Sequence, residues 1–395
     1  MNVKNLFKKK GLLIAYLAIS GGMLLVSNNA AATPSFARQM NMECSGCHFQ
    51  SFPALNNFGR QFRASGYTMA RKEKGDIVEG DNLSIPAGLN TSVITKLRYT
   101  KVGNNTAEID FPDELAIMIA GRGSEKIGYL FELAMVTEPD IIGGPQKLSA
   151  LAGGKVHFKV GKVGNTQLLL VPYTTDGSGA GYGFELLNTG AQKSQRIIEE
   201  GDSYSASMRL GLGHASATGL TLAGVGDNYF VNASLWTPGW NDTGLDPSQF
   251  ATYLRAAYFP KFGNWDTAVG VQMAGGTAVS SAGSLKTDAW VVDGQMQGKM
   301  GGMPLGLYAS YGSASAGNYA LTNLSDRYAY GMLAKLGVSH KTSVFASYAS
   351  TGGDISESSN ALGLQYMLVQ NAKLEFYTSD DSVDRTWRLM LFAGF

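Results

Sequence analysis

The feature that most limits what this chain can become is a two-residue alternation that recurs, segment after segment, beyond residue 80. The final segment is the clearest. Trp387, Leu389, Leu391, Ala393 and Phe395 alternate with Arg388, Met390, Phe392 and Gly394. Successive side chains of a strand point to opposite faces, so the first set suits lipid and the second a lumen. Val93, Thr95, Leu97 and Tyr99 alternate with Lys96 and Arg98, and Leu115, Ile117 and Ile119 with Ala116, Met118 and Ala120. Ile127 to Met135 and Ala372 to Thr378 repeat the pattern. The chain stops on Phe395, as outer-membrane barrels typically stop on an aromatic residue that their assembly machinery reads.

Composition narrows the choice. Charged residues are 16 %, against about 25 % in soluble domains. Beyond the N-terminus no run is long and apolar enough for a membrane-spanning helix. Strands can cross lipid only as a closed barrel, where every backbone group finds a partner. The expected fold is therefore mainly β: an outer-membrane antiparallel β-barrel of about sixteen strands over residues 81–395, preceded by a very small α-helical domain over 33–80. Gly123-Ser124-Glu125 reads as a tight turn, and polar or glycine-rich stretches near 137–153, 174–203, 237–249, 275–286 and 313–326 read as long loops. A soluble array of β-sandwiches would need more outward charge and a second layer over 387–395.

The N-terminus reads as a secretory signal peptide over residues 1–32. Lys4, Lys8, Lys9 and Lys10 precede an apolar run from Gly11 to Val26, and Ala30-Ala31-Ala32 suits cleavage before Thr33. The alternative is a retained anchor helix, but Gly21-Gly22 interrupts the run. Four of the 32 basic residues lie in this leader, which leaves 28 against 31 acidic residues and a net charge of −3. That balance gives no reason to expect nucleic acid as a partner.

The chain's two cysteines fall in Cys44-Ser45-Gly46-Cys47-His48. In an exported protein, C-x-x-C-H reads as a covalent attachment site for one c-type haem. Two thiols reach the two vinyl groups, and the adjacent imidazole of His48 becomes the proximal iron ligand. A zinc site would need further ligands close by, but His157, His214 and His340 lie far downstream. A thioredoxin-type motif would need a βαβ context. Phe36 and Met40 share a helical face before the motif. After it, Ser51 is a candidate cap for a helix carrying Leu55, Phe58 and Phe62 on one face, with Gly66 as its stop. Arg60 and Arg63 are candidate propionate contacts, or simply a solvated face. Met69 is the candidate distal iron ligand, with Met40 and Met42 as rivals. His157 joins them if its strand face, shared with Lys155 and Lys159, lines the lumen.

Phe36-Ala37-Arg38-Gln39, the C-x-x-C-H, Phe52-Pro53, Leu55-Asn56, Phe58-Gly59-Arg60 and Gly66-Tyr67-Thr68-Met69 together resemble the fused cytochrome–porins of the Cyc2 type. Phe111-Pro112-Asp113-Glu114 and Gly121-Arg122 extend the resemblance more weakly. Members of that family are outer-membrane iron oxidases. The resemblance implies oxidation of extracellular Fe(II) at a single haem c and transfer of the electron to a periplasmic c-type cytochrome or similar carrier. This sequence departs from the family at Ser51, where many members carry His.

Other functions fit the same parts. The conduit could serve another donor or acceptor; the haem module could merely gate or stabilise a porin; or an open iron position could make a haem enzyme or sensor. No Gly-rich phosphate loop, G-x-S-x-G or H-E-x-x-H is present. The carboxylate pairs Glu199-Glu200 and Asp380-Asp381 offer hard oxygen ligands for Fe(II), although such pairs are more often solvated loop charges.

Overall fold

A computed structural model describes residues 34–70, 77–80, 83–135, 151–199, 204–239, 250–280, 283–318, 321, 324–354, 356–381 and 384–395. The signal-peptide reading of 1–32 falls outside them.

The alternation does what period-two patterning should: it makes strands that bury one face in lipid and the other in the lumen. Sixteen of them form the wall. In chain order they are β1 (Thr91–Val102), β2 (Glu108–Arg122), β3 (Ile127–Ala134), β4 (Leu151–Val163), β5 (Thr166–Thr175), β6 (Ala217–Val225), β7 (Tyr229–Thr237) and β8 (Ala251–Tyr258). They continue as β9 (Trp265–Gly275), β10 (Ala289–Met300), β11 (Met303–Ala314), β12 (Arg327–Gly337), β13 (Thr342–Gly352), β14 (Glu357–Val369), β15 (Ala372–Asp380) and β16 (Arg385–Gly394). Each pairs antiparallel with the next, and β16 closes on β1 with Leu391 opposite Leu97 and Leu389 opposite Tyr99. A lipid-facing apolar belt includes Leu222, Val231, Val271, Trp290, Leu307, Met332 and Leu389, all exposed. The closed wall with this belt is that of an outer-membrane protein.

The two rims differ. At one, the connections 123–126, 164–165, 226–228, 259–264, 301–302, 338–341 and 370–371 are short. At the other lie the long connections, among them 135–150, 176–216, 238–250, 276–288 and 315–326, where sequence placed the loops. In outer-membrane barrels the short-turn rim is periplasmic.

Two segments fill the lumen. The first is the N-terminal part: α1 (Pro34–Met40), α2 (Cys44–Cys47) and α3 (Asn57–Ala64). So short a segment cannot bury a core of its own, and it borrows one. Ala54 packs with Tyr308, Leu333 and Phe345 of the wall; Phe52 packs with Met390 and Phe392; Leu130 leans on the cluster of Met40, Phe62 and Tyr67. Its wall contacts lie near strand ends at the short-turn rim: Ser92 on β1, Gly128 on β3, Asp266 on β9, Pro304 on β11 and Lys373 on β15. It therefore plugs the periplasmic half.

Sequence read 174–203 as an ordinary loop. Instead, the described parts of this connection, 176–199 and 204–216, fold inward over the plug, with Leu187, Ile197 and Ile198 fully buried. A short helix, α4 (Ala206–Arg209), capped by the Ser205 side chain, turns it back to the wall. Its anchor is Arg255 on β8, which donates to Glu185 of the loop (2.9 Å) and to Asp293 of β10 (2.5 Å). Asn188 ties this loop to the plug by accepting from the Leu55 N–H and donating to the Leu55 carbonyl, both at 2.8 Å.

Arg255, Glu185 and Asp293 are all buried, and removing one partner of such a set costs about 3–5 kcal/mol because a charge is left unpaired. In planar bilayers the wild type should conduct far less than an open porin. Arg255→Ala should loosen the inner loop and raise single-channel conductance. Wild-type conductance at the open-porin level would contradict the plugged lumen.

Candidate functional site

The site grows from the C-x-x-C-H. Cys44 and Cys47 stand one turn apart on α2, and neither is in a disulfide. Cys44 is buried, whereas burial around the half-exposed Cys47 pushes its thiol up. His48 follows as the C-cap. Its Nδ1 lies 3.2 Å from each of the carbonyls of Pro53 and Ala54. Carbonyls only accept, so Nδ1 carries the proton and donates. Burial, against the pull of these carbonyls, pushes the imidazole down to about 4. The ring is therefore neutral at pH 7. Among the described residues Nε2 makes no hydrogen bond, so its lone pair is free. A carbonyl on one ring nitrogen that fixes the tautomer and leaves the other nitrogen bare is how protein histidines are oriented as metal ligands.

The helix after the motif begins later than its sequence suggested. Asn56, not Ser51, caps α3, its side chain accepting from the Gly59 N–H at 2.9 Å. Ser51 is drawn to the wall: its hydroxyl donates to Gln365 and accepts from Lys335 Nζ. Asn56 also reaches back to the Gly46 carbonyl (3.0 Å), while its backbone N–H bonds the Cys47 carbonyl (2.9 Å). Gly59 is required here, since a Cβ would overlap that same carbonyl. The motif and α3 are thereby locked together. Gly66 ends the helix as expected, at φ +68°.

The other sequence candidates separate into distinct places. Met69, like Phe36, Met42 and Phe58, packs against the buried cluster of Met40, Phe62 and Tyr67. Met42 lies closer to the motif than that cluster implies, because its Cε would meet a Cβ on Gly46 at 2.7 Å. Arg60 donates to Asp266 at 2.6 Å and to Gln297 at 3.3 Å. Arg63 donates to the Tyr67 hydroxyl (3.1 Å) and the Glu185 carbonyl (3.2 Å). His157 faces the lumen from β4, its ring 4.9 Å from Tyr67 and 6.1 Å from Phe184. The ring of His48 instead meets Phe52 at 5.3 Å, in the part of the plug that stacks on Phe392. The structure thus brings Cys44, Cys47 and His48 together and leaves His157 in a different neighbourhood.

A narrow cleft runs between the motif and the wall, lined by Cys44, Ser45, Ser51, Phe52, Lys373 and Phe392. His157 is 1 % exposed, and both of its ring nitrogens lack hydrogen-bond partners. Buried orphan donors and acceptors of this kind point to a missing partner. The donor set of the motif and the orphaned imidazole both fit a covalently held porphyrin with carboxylate arms.

The acidic pairs do not gather. Glu199 is paired with Arg196 (2.6 Å) and Lys96 (2.9 Å), and Asp380 with Arg385 (3.1 Å); Glu200 is outside the described residues. Among the described residues no group of three His, Cys, Asp or Glu side chains forms a metal site.

Solved structures share the architecture. A double mutant of the Rh. blastica porin superposes with a TM-score of 0.50 at 10 % identity, covering 78 % of this chain and all of its own. OmpT of Vibrio cholerae gives a TM-score of 0.47 at 11 % identity, covering 81 % of this chain and 100 % of its own. The first likeness shows a porin-like fold. No family model and no curated protein matches the chain.

One contact decides whether the plug stays seated. A Cβ on Gly128 of β3 would overlap the Gly66 carbonyl and press on Tyr67. Gly128→Val should lift the Gly66–Tyr67 turn off the wall and expose residues 34–70 to limited proteolysis, which spares them in the wild type. Equal protection in both would mean that this turn does not hold the plug.

Proposed function

We propose that this outer-membrane barrel is an electron-transfer protein. It carries one haem c on Cys44, Cys47 and His48, oxidises Fe(II) outside the cell, and passes the electrons to a soluble periplasmic carrier such as a c-type cytochrome. The observation that carries the reading is His48, with Nδ1 donating to two backbone carbonyls and Nε2 left bare beside two cysteines that form no disulfide. Haem, when bound, supplies a one-electron Fe(III)/Fe(II) couple.

The chain's own residues do the rest. Cys44 and Cys47 offer the two thioether sulfurs, and His48 Nε2 is the proximal donor. Met69 is the candidate distal donor, with Met42 the methionine nearest the motif. The wall and the inward loop keep bulk water from a straight path through the lumen, which suits a protein that must move electrons and leave insoluble ferric products outside. Each Fe(II) gives up one electron to become Fe(III), and that electron leaves on the periplasmic side. The short-turn rim fits such a handover. Lys126, Lys162, Lys261, Lys299 and Lys341 stand exposed in or beside five different turns, against Glu125 and Asp227. A positive rim of this kind favours encounter with an acidic soluble partner.

A second reading follows from the fold alone: a porin in which the N-terminal segment only closes the pore. Stopped-flow spectroscopy of the detergent-purified protein separates the two. A c-type spectrum that reduces on mixing with Fe(II), and that Cys44→Ser/Cys47→Ser abolishes, is expected. Reduction by dithionite but not by Fe(II) at any pH tested moves the function to another donor. Absence of a c-type spectrum rejects the haem and leaves the plugged porin.

A further inference from the structure

The plug and the wall enclose a second polar centre, away from His48. On β4, Lys155 and His157 point into the lumen from alternate positions and are 2 % and 1 % exposed. Lys155 Nζ donates to the Tyr182 carbonyl (2.7 Å) and lies 4.1 Å over the Tyr182 ring. The charges of Lys155 and Arg63 both act on His157. Tyr67 bridges the group, its ring on His157 and its hydroxyl accepting from Arg63.

Arg63 and Lys155 bring donors and positive charge to this centre, and among the described residues neither is hydrogen-bonded to a carboxylate; the acids Glu132 and Asp176 act on Tyr182. Arg63 and Lys155 donate only to neutral oxygens. Glu185, the acid whose charge reaches Lys155, is already taken by Arg255 and by the N–H groups of Leu186 and Leu187. Both nitrogens of His157 and the hydroxyl of Tyr182 are buried without partners. Burying a cation without an anion costs several kcal/mol, and buried polar atoms are normally bonded. An anion with several oxygens would supply acceptors to these groups.

We infer that Arg63, Lys155, His157 and Tyr182 form a carboxylate-binding cradle, and that it takes the propionates of the haem carried by Cys44 and Cys47. The inference rests on the haem reading above and extends it from the attachment end of the porphyrin to the opposite edge. Two observations support the assignment. First, α3 connects the two ends: Gly59 packs on the Cys47 carbonyl at its start, and Arg63 and Gly66 stand at its close. Its eight residues span about 12 Å, a length comparable to a porphyrin. Second, the alternative propionate contact is occupied, since Arg60 is held by Asp266 and Gln297. The cradle is thus shared between plug and wall, so the cofactor itself would fasten the two together. Gly66 permits this approach, because a Cβ there would meet the His157 Cβ at 3.0 Å.

The test uses the full-length holoprotein in detergent. Lys155→Gln and His157→Leu should retain the covalent haem but shift its propionate bending band in resonance Raman spectra. They should also lower its midpoint potential, because propionates stripped of countercharge stabilise the ferric state. His157→Gln, which keeps a donor, should restore the band towards wild type. Lys96→Gln, at a buried lysine already paired with Glu114 and Glu199, should leave the band unchanged. Full haem content with unaltered bands in both cradle variants would overturn the cradle and leave the haem reading intact. Tight binding of inorganic phosphate by the Cys44→Ser/Cys47→Ser protein, together with unaltered bands, would reassign the centre to a free anion and equally overturn it. Absence of covalent haem from the wild type would reject the haem reading itself, and the cradle with it.

Discussion

Everything in this structure depends on the closure of β16 onto β1. In lipid an unpaired backbone N–H or C=O costs several kcal/mol, so the sheet must have no edge. Closure fixes the inside and outside of every strand, because a register slip of one residue would turn Lys96, Lys155, Lys335 and Lys373 into the membrane. All four are instead buried on the lumen side. A wall of sixteen strands encloses enough space for an aqueous channel, and that space creates the need the other segments answer.

The lumen is filled from both ends by parts that could not stand alone. The plug's hydrophobic clusters are completed by wall residues such as Tyr308, Leu333 and Phe392. The inward loop is held by the buried Arg255–Glu185–Asp293 set. These ion pairs do not make the barrel stable, since desolvation offsets much of their attraction. They fix position: a guanidinium with two carboxylates in one geometry tolerates few alternative seatings of the loop. Asn188 then passes that positional information to the plug at Leu55.

The chemistry of the proposed redox site follows from this packing. His48 is held neutral and pointed by the turn at Pro53 and Ala54, and that turn is pinned to the wall through Ser51 and Phe52. The wall therefore does more than surround the motif. It orients His48 at one side of the plug and supplies Lys155 and His157 at another.

Alternation, with low charge and no apolar run long enough for a spanning helix, was enough for the barrel, a count of about sixteen strands and the inward faces. Lys155, His157 and Lys159 fell on one face, and Met390 and Phe392 turned inward as their positions required, because a pleated strand leaves no other choice. The C-x-x-C-H was equally legible, since its chemistry depends on a spacing within five residues. What sequence could not decide was anything set by contacts between distant segments. The stretch 176–199 has no period, so its burial depends on partners such as Arg255 and Gln295 that the chain supplies far downstream. Ser51 looks like a helix cap until Lys335 and Gln365 compete for it, leaving the cap to Asn56. Gly128 reads as one glycine among 50 until the Gly66 carbonyl occupies the space of its missing side chain. Local periodicity and local spacing belong to the sequence. Which buried polar groups find partners, and which remain waiting for one, was decided only when the barrel closed around the plug.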